Sequence, residues 1–189
     1  VVGREELRKT LADSTHKLYP DVLTGAYSRR YYEEFLRDLR APGTGVAIMD
    51  VDDFKLYNDF FGHNLGDAVL RTLVGVITDN LRAEDRLVRY GGDEFLLILP
   101  RTDQAALSAF LGRLRKKVGV ADTFGATGKR LSISIGGVIS GDETVSDALE
   151  RADRYLMLAK QHKNRVMTEH EAHRCRQKSR RSSSVTIRR

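Results

Sequence analysis

Apolar positions recur along the middle of this chain with two different spacings, and each spacing predicts one type of element. Short apolar runs bounded by glycine or charged residues predict buried strands, whereas apolar residues three to four positions apart predict helices. The predicted strands are residues 46–49, 86–90, 94–99 and 131–139, with residues 165–167 as a closing strand. The predicted helices are residues 27–39, 64–80, 103–118 and 145–160. From the first predicted strand onward the order is therefore β-α-β-β-α-β-α.

This order predicts an α+β fold of the ferredoxin-like or palm type, built on a β-α-β-β-α-β core. Gly91 and Gly92 lie between two adjacent predicted strands, which is typical of a β-hairpin. A hairpin makes the central sheet at least partly antiparallel, and we expect helices to flank that sheet. Pro42 and Gly43 end the first of these helices, because proline disfavours helix at and just before its own position.

The two ends of the chain differ from this central region. Residues 4–17 have leucines at helical spacing, which predicts an amphipathic helix that either ends a signalling coiled coil or packs on its own domain. Pro20 breaks that helix. We therefore expect a helical linker over residues 1–20, a folded domain over residues 21–168 and a basic, disordered tail over residues 169–189. The missing initiator methionine indicates a fragment of a longer protein.

Composition and charge narrow the class of protein. Apolar residues make up 41% and charged residues 31% of the 189 residues, which is typical of a globular chain. The net charge of +6 comes from the end of the chain, where residues 160–189 hold ten lysines and arginines and two acids. This tail either contacts nucleic acid or anionic lipid or is simply solvated. It lacks stacking aromatic residues, which disfavours nucleic-acid binding, and we assign no firm nucleic-acid or membrane partner.

Cysteine content and hydropathy favour a cytoplasmic protein. Cys175 is the only cysteine, which excludes an internal disulfide framework and a multi-cysteine zinc site. The first residues soon become charged, unlike a signal peptide, and the apolar run at residues 95–99 is too short to span a bilayer. We therefore expect this domain to be cytoplasmic. The full-length protein could still carry a membrane anchor upstream of it.

Two acidic clusters carry the candidate chemistry. Asp50 and Asp52 follow the first predicted strand, and Asp93 and Glu94 adjoin the glycine pair of the hairpin. In the predicted fold the strand and the hairpin can lie side by side. Converging carboxylates suit Mg²⁺, a hard cation that assists phosphoryl transfer by neutralising phosphate charge. The alternative is an ordinary hairpin turn with solvated acids.

Six strings of residues occur in a fixed order between residues 21 and 167. Residues 89–95 read RYGGDEF, and residues 50–55 read DVDDFK. The other four are DVLTG with a later Arg-Arg at residues 21–30, NDFFGHNLGD at residues 58–67, SISIG at residues 132–136, and Ala-Asp with a later Ala-Lys at residues 152–160. Their order and intervals resemble the GGDEF family of diguanylate cyclases, Mg²⁺-dependent enzymes that join two GTP molecules into cyclic di-GMP. The resemblance makes residues 21–168 a GGDEF catalytic domain.

The resemblance implies roles for residues of the two acidic clusters. Asp50, the backbone carbonyl of Val51 and Asp93 are expected to hold Mg²⁺, with Mn²⁺ as a possible substitute. Asp93 is also the expected base for the ribose 3′-hydroxyl, and Glu94 is expected to support the metal site. Lys55 is expected to stabilise charge that develops on the phosphates.

The resemblance also implies a GTP-binding site. Lys55, the backbone near Phe54 and Lys160 would face the triphosphate. Asn58 and Asp67 would meet the guanine edge, where a carboxylate accepts hydrogen bonds that adenine cannot donate. By itself Asn58 is also a common capping residue. Gly91 and Gly92 lack Cβ atoms, so a ligand can approach their backbone closely.

A string R-x-x-D precedes the hairpin and resembles the inhibitory product site of the family. Arg82 and Asp85 would bind cyclic di-GMP, and Arg113 would join them from the next helix. The alternative is a surface ion pair. A non-catalytic cyclic di-GMP sensor is the rival function, but such a sensor usually has an eroded GGDEF string.

The resemblance further implies a homodimer and an input domain. One domain binds one GTP and the product contains two, so two domains must face each other with approximate two-fold symmetry. An upstream sensory domain is expected to direct that encounter. The chain departs from the family near Lys160, where residues 160–164 form a shorter string without the usual glycine; this leaves open whether Lys163 contacts phosphate. Met157 replaces a frequent tyrosine.

Overall fold

Six strands form one mixed sheet in the computed structural model, which describes residues 19–121 and 131–172. The strands are β1 (Tyr27–Ser28), β2 (Gly45–Val51), β3 (Arg86–Arg89), β4 (Glu94–Leu99), β5 (Ile133–Ile139) and β6 (Val166–Thr168). Their order across the sheet is β1-β3-β4-β2-β5-β6. The four middle strands pair antiparallel, and the two outer strands pair parallel with their neighbours.

Five helical segments flank this sheet. The first, α1, begins as Arg29–Tyr31 and continues as a π-helical turn over Tyr32–Leu36. The others are α2 (Phe54–Phe61), α3 (His63–Thr78), α4 (Gln104–Val120) and α5 (Val145–Lys160). Asp103 caps α4 by accepting a hydrogen bond from the Ala106 amide, and Thr144 and Asp147 form a capping box at the start of α5.

Side chains that alternate along β2 build two cores, one on each face of the sheet. Ala47 and Met49 pack with the apolar faces of α3 and α4. Val46 and Ile48 point to the opposite face and pack with α1 and α5. All seven residues of β2 are buried, because the strand is central and covered on both sides.

Close packing of α5 on β5 depends on one glycine. A Cβ atom added to Gly136 would overlap the backbone carbonyl of Ala152 and the backbone amide nitrogen of Leu156. The helix therefore lies directly on the strand. This approach brings Lys160, the last residue of α5, close to the end of β2.

The predicted fold class is confirmed, with local differences. The two-residue strand β1 and the helix α2 were not predicted; β2 continues through Val51, two residues beyond its predicted end; and β5 begins at Ile133 rather than at residue 131. Within residues 19–121 and 131–172, none of the helices has the length and apolar character needed to cross a bilayer. The predicted helix at residues 4–17 and most of the predicted tail lie outside the described residues.

Candidate active site

The pairing of β2 with β4 brings the two acidic clusters together. Asp50 lies opposite Glu94 in the antiparallel register, and the Val51 amide donates a hydrogen bond to the Asp93 carbonyl at 3.3 Å. Asp50 is thus a residue of the strand itself, whereas Asp93 belongs to the hairpin turn. The sheet register, rather than any local sequence feature, makes these residues neighbours.

Lys160 forms an ion pair with the most buried of these carboxylates. Its Nζ lies 2.7 Å from Asp50 Oδ2, and the Asp50 side chain is only 12% exposed. Burial raises the pKa of Asp50 from 3.8 to about 6; the charges of Asp93 and Glu94 act in the same direction, while Lys160 opposes them. Loss of water is therefore the main reason that this carboxyl ionises less readily than a free aspartate.

The pKa of Lys160 is also raised. Burial lowers it, but the hydrogen bond to Asp50 and the charges of Asp50, Glu94 and Asp93 outweigh that effect. The Lys160 side chain is 42% exposed, whereas the Asp50 side chain is 12% exposed. Burial is thus the largest single effect on the pKa of both groups, and at Lys160 the neighbouring carboxylates together outweigh it.

The oxygen atoms at this site fit a divalent cation. Carboxylate and carbonyl oxygens are the ligands that Mg²⁺ prefers, and the carboxyl groups of Asp93 and Glu94 already hinder the ionisation of Asp50. In the described part of the chain, no three histidine, cysteine or acidic side chains gather as a complete metal site.

Arg89 organises the glycine turn of the hairpin. Its Nε and Nη2 donate to the Gly92 carbonyl at 3.1 and 2.7 Å, and its Nη1 donates to Asp21. Neither Gly91 nor Gly92 has a positive φ. A Cβ at Gly91 would come within 2.7 Å of the Glu94 carboxylate, whereas the space in front of Gly92 is open. The predicted hairpin is confirmed. Glycine is needed at residue 91 to leave space for the Glu94 side chain, and not to allow an unusual backbone conformation.

The two aspartates that follow β2 have structural partners. Asp52 accepts hydrogen bonds from the hydroxyl groups of Ser132 and Ser134 at 2.6 and 2.7 Å. Asp53 accepts two from Lys163 Nζ, at 2.7 and 2.9 Å. The ion pair between Asp53 and Lys163 was not predicted from the sequence, because the two residues lie in distant segments.

The predicted phosphate-facing residues begin α2. Asp53, with a φ of +59°, turns the chain into this helix, and Phe54 packs against the core below it. Lys55 is exposed on the first helical turn. The helix N-terminus offers backbone amides and a positive dipole end to an anion, so these positions suit a phosphate group.

Asn58 lies on α2 where that helix meets Gly66 of α3, and Asp67 is the next residue of α3. The Asn58 amide oxygen is buried and has no hydrogen-bond partner among the described atoms. A Cβ added to Gly66 would overlap this oxygen, so Gly66 makes room for Asn58 one residue before Asp67. An unpaired buried polar atom is unfavourable by itself, and it suits a site that is completed by a ligand.

The R-x-x-D string forms a turn beside a cavity of about 340 Å³. Asp85 Oδ2 accepts a hydrogen bond from the Arg82 backbone amide at 2.7 Å, whereas the described residues show no ion pair of the Arg82 guanidinium with this carboxylate. Burial raises the pKa of Asp85, which the Arg82 amide opposes. Arg82, Asp85 and Arg113 all line the cavity.

A further cation lines the same cavity. Arg101 has a φ of +52° and pairs with Glu84 at 2.5 Å. Arg101 was not predicted from the sequence, since it lies outside the R-x-x-D string. Arg101 follows β4 and Asp85 precedes β3. The antiparallel pairing of these two strands brings both residues to the same cavity.

The fold and the site together define a palm-like α+β domain that gathers two acidic clusters beside a lysine. The chain belongs to the GGDEF family: the family described as "Diguanylate cyclase, GGDEF domain" matches residues 18–166.

Curated relatives agree with this assignment. The chain is 38% identical to the diguanylate cyclase DgcP of Pseudomonas aeruginosa over 79% of its length, and 37% identical to the diguanylate cyclase DosC of Escherichia coli over 81%. It is 34% identical to the response regulator PleD of Caulobacter vibrioides over 82%. These matches cover 24%, 35% and 36% of the relatives, so the chain spans about a quarter to a third of their length.

Solved structures share the fold. The GGDEF domain of DgcB from Caulobacter crescentus, crystallised in complex with c-di-GMP, matches with a TM-score of 0.72 at 27% identity, over 79% of this chain and 94% of that one. The diguanylate cyclase SiaD of Pseudomonas aeruginosa, in complex with its activator SiaC, also matches with a TM-score of 0.72, at 31% identity, over 87% and 67%.

Proposed function

We propose that this domain condenses two GTP molecules into cyclic di-GMP and releases two pyrophosphates. The observation that supports the proposal is the convergence of Asp50, Asp93 and Lys160 at one end of β2, next to the N-terminus of α2. A buried carboxylate with a raised pKa beside further acids is typical of a site built to bind a cation and act on phosphates. The intact GGDEF string keeps Asp93 and Glu94, and the strings around it keep Asp50, Lys55 and Lys160, so no chemical group that the reaction needs is missing.

Asp50, the Val51 carbonyl and Asp93 would hold the divalent cation, Mg²⁺ or Mn²⁺. When bound, this cation neutralises charge on the phosphates and increases the acidity of the attacking hydroxyl. Asp93 accepts the proton of the ribose 3′-hydroxyl, whose oxygen forms a bond to the α-phosphorus of the other GTP. The bond from that phosphorus to the bridging oxygen breaks, and pyrophosphate leaves.

Lys55 and Lys160 would balance the charge of the triphosphate. Lys55 lies exposed on the first turn of α2 and can approach a phosphate directly. Lys160 pairs with Asp50, and its ammonium would be able to contact a phosphate if that carboxylate held the cation. Glu94, opposite Asp50 in the sheet, would support the cation site.

Asn58 and Asp67 would select guanine. The carboxylate of Asp67 accepts hydrogen bonds from guanine N1–H and from the 2-amino group. Adenine has an acceptor at N1 and no 2-amino group, so the carboxylate would be left unpaired. The Asn58 amide oxygen, buried without a partner, is the second acceptor at this site. Desolvating unpaired acceptors is expected to exclude ATP by a factor of about 10⁴.

Two copies of the domain must act together, because each site holds one of the two nucleotides. An antiparallel homodimer with two-fold symmetry places each 3′-hydroxyl opposite the α-phosphate of the other GTP. Under this proposal residues 21–168 are the catalytic domain, residues 1–20 a linker and residues 169–189 a tail. A sensory region of a longer cytoplasmic or membrane-anchored protein would control the encounter.

Product inhibition is the second part of the proposal. Arg82, Asp85 and Arg113 line one cavity, where the guanidinium groups suit phosphates and the carboxylate suits a guanine edge. The same cavity also supports the rival function, a sensor that binds cyclic di-GMP without making it. The retained Asp93 and Glu94 favour the enzyme.

Incubation of the protein with GTP and Mg²⁺, followed by chromatography of the nucleotides, tests the main proposal. We expect cyclic di-GMP and pyrophosphate from the wild type and none from Asp93→Asn, with unchanged circular dichroism. Asp38→Asn is the matched control, since this carboxylate is 82% exposed on the surface. Normal product formation by Asp93→Asn would disprove the assignment, and cyclic di-GMP binding without synthesis by the wild type would favour the sensor.

A further inference from the structure

Three contacts join residues 50–53, at the end of β2, to residues 160–164, at the end of α5 and in the turn after it. Lys160 pairs with Asp50, the Asn164 backbone amide donates to Asp52 Oδ2 at 2.7 Å, and Lys163 pairs with Asp53. The first two contacts involve carboxylates that are buried or saturated by several donors. The third is different, because its side chains are 56% and 49% exposed.

The backbone on both sides of this third contact is unusual. Asp53 has a φ of +59°, and Lys163 and Asn164 have φ values of +52° and +45°. Non-glycine residues seldom occupy this left-handed region, and lysine is not among the residues that favour it. The turn after Lys160 is short and lacks a glycine, so Lys163 itself adopts the left-handed conformation. That conformation accompanies the direct contact of its ammonium with Asp53.

Stability does not explain this arrangement. An exposed ion pair contributes little to folding, because water solvates both groups nearly as well when they are apart. The location of the pair is more informative. Asp53 immediately precedes Phe54 and Lys55, at the N-terminus of α2 that would face the triphosphate. A bare carboxylate at this point would repel a polyanionic substrate.

We propose that Lys163 is the charge-balancing residue of the triphosphate site. It cancels the Asp53 carboxylate at the start of α2 and thereby sets the affinity for GTP, without contact with the reacting atoms. This inference rests on the proposed function. It makes Lys163 a positioning residue that acts through Asp53, in contrast to Lys55 and Lys160, which would contact phosphate themselves.

A double-mutant cycle tests the proposal through KM and kcat for GTP. Lys163→Met leaves Asp53 unbalanced and is expected to raise KM about tenfold while kcat stays within about twofold of the wild type. Asp53→Asn removes the repulsive charge, so KM should stay near the wild-type value or fall. The double variant has neither the lysine nor the carboxylate, so no charge is left unbalanced and KM should return to within about threefold of the wild type.

Binding gives an independent readout. Calorimetric titration with a GTP analogue that has a methylene bridge between the α- and β-phosphates, in the presence of Mg²⁺, should show the same weakening and the same rescue. The effect of Lys163→Met should decrease from the triphosphate to GMP and vanish for guanosine, because the repulsion acts on phosphate charge.

Two controls separate charge from folding. Lys163→Gly relieves the left-handed strain but removes the same charge, so it should raise KM as Lys163→Met does. Arg40→Met removes a positive charge from an exposed ion pair near the opposite end of β2 and should leave KM unchanged.

Three results would overturn the inference. A double variant as weak as Lys163→Met would show that the lysine contacts phosphate independently of Asp53. An unchanged KM in Lys163→Met would show that the ion pair of Lys163 with Asp53 has no effect on GTP binding. Both results require a wild type that makes cyclic di-GMP, so the proposed function would survive them. A wild type that neither binds the analogue nor turns over GTP would instead overturn the proposed function and this inference together.

Discussion

Arg89 donates hydrogen bonds to both carboxylate oxygens of Asp21, at 3.0 and 3.3 Å, across a separation of 68 residues. The same guanidinium holds the Gly92 carbonyl, so the start of the domain is tied to the glycine turn of the hairpin. Thr24 completes the arrangement by donating its amide and hydroxyl to Asp21. The pair is largely buried, with side-chain exposures of 17% and 22%.

Asp21→Asn is therefore expected to lower the free energy of unfolding at pH 7 by about 1–2 kcal/mol. Burial by itself raises the pKa of Asp21, but the hydrogen bonds from Thr24 and Arg89 outweigh it and hold the pKa below 3.8. A carboxyl with a lowered pKa stabilises the fold above its unfolded value, and this stabilisation is lost as pH falls through the lower folded value.

Urea unfolding of wild type and Asp21→Asn from pH 7 down to pH 3 measures this difference. The difference in the free energy of unfolding between the two proteins should be largest at neutral pH and should decrease as pH falls below about 4. Asp142→Asn removes a 92% exposed carboxylate and should change stability by less than about 0.5 kcal/mol. A pH-independent difference would mean that the charge of Asp21 is not what stabilises the contact.

Asp50→Asn is expected to stabilise the metal-free protein. The pKa of Asp50 is about 6 in the folded protein and 3.8 for an unperturbed aspartate. The folded state therefore binds this proton more tightly than the unfolded state, and the protein loses stability as pH rises from about 4 to about 6. Above pH 6 the substitution should therefore raise the free energy of unfolding by about 1–3 kcal/mol, with no gain below about pH 4.

Magnesium should reverse this ranking. Mg²⁺ is expected to raise the melting temperature of the wild type but not of Asp50→Asn, because only a carboxylate at residue 50 binds the cation well. Thermal unfolding in EDTA and in excess Mg²⁺, at pH 7.5, measures both effects. Equal Mg²⁺ responses of the two proteins would exclude Asp50 as a ligand.

Gly66→Ala tests the site at Asn58. The added Cβ would overlap the Asn58 amide oxygen, so we expect the side chain to be displaced and GTP affinity to fall about tenfold or more. Gly75→Ala is the matched control on the same helix, because nothing lies within 4 Å of a Cβ there. It should leave GTP affinity unchanged and stabilise the protein by about 0.5–1 kcal/mol. Equal affinities of both variants would remove Asn58 from the nucleotide site.

Arg82→Ala is expected to weaken product inhibition. The turn at this string is held by the Arg82 backbone amide and Asp85, so it survives loss of the guanidinium. The concentration of cyclic di-GMP that halves the initial rate should rise about tenfold or more, with each protein compared with its own uninhibited rate. Arg113→Ala should act in the same direction. Superimposable inhibition curves for wild type and Arg82→Ala would assign the cavity no regulatory role.

Local sequence was sufficient for the elements that carry strong periodic patterns. The helix α5 was predicted at its observed bounds, since its apolar face is regular. The strands β3 and β4 and the hairpin between them followed from apolar runs around a glycine pair. The helix α2 was not predicted, although Phe54 and Tyr57 recur at helical spacing and pack partly buried against the core.

The ordered strings around Asp50 and Asp93 were enough to predict the family and the candidate site residues. The partners of these residues depended on tertiary structure. Lys160 lies 110 residues from Asp50, as Lys163 does from Asp53, and no local pattern relates them. Their contacts arise from the register of β2 in the sheet and from the packing of α5 on Gly136. Such long-range geometry depends on burial across the whole core, so only the folded chain determines which charges meet.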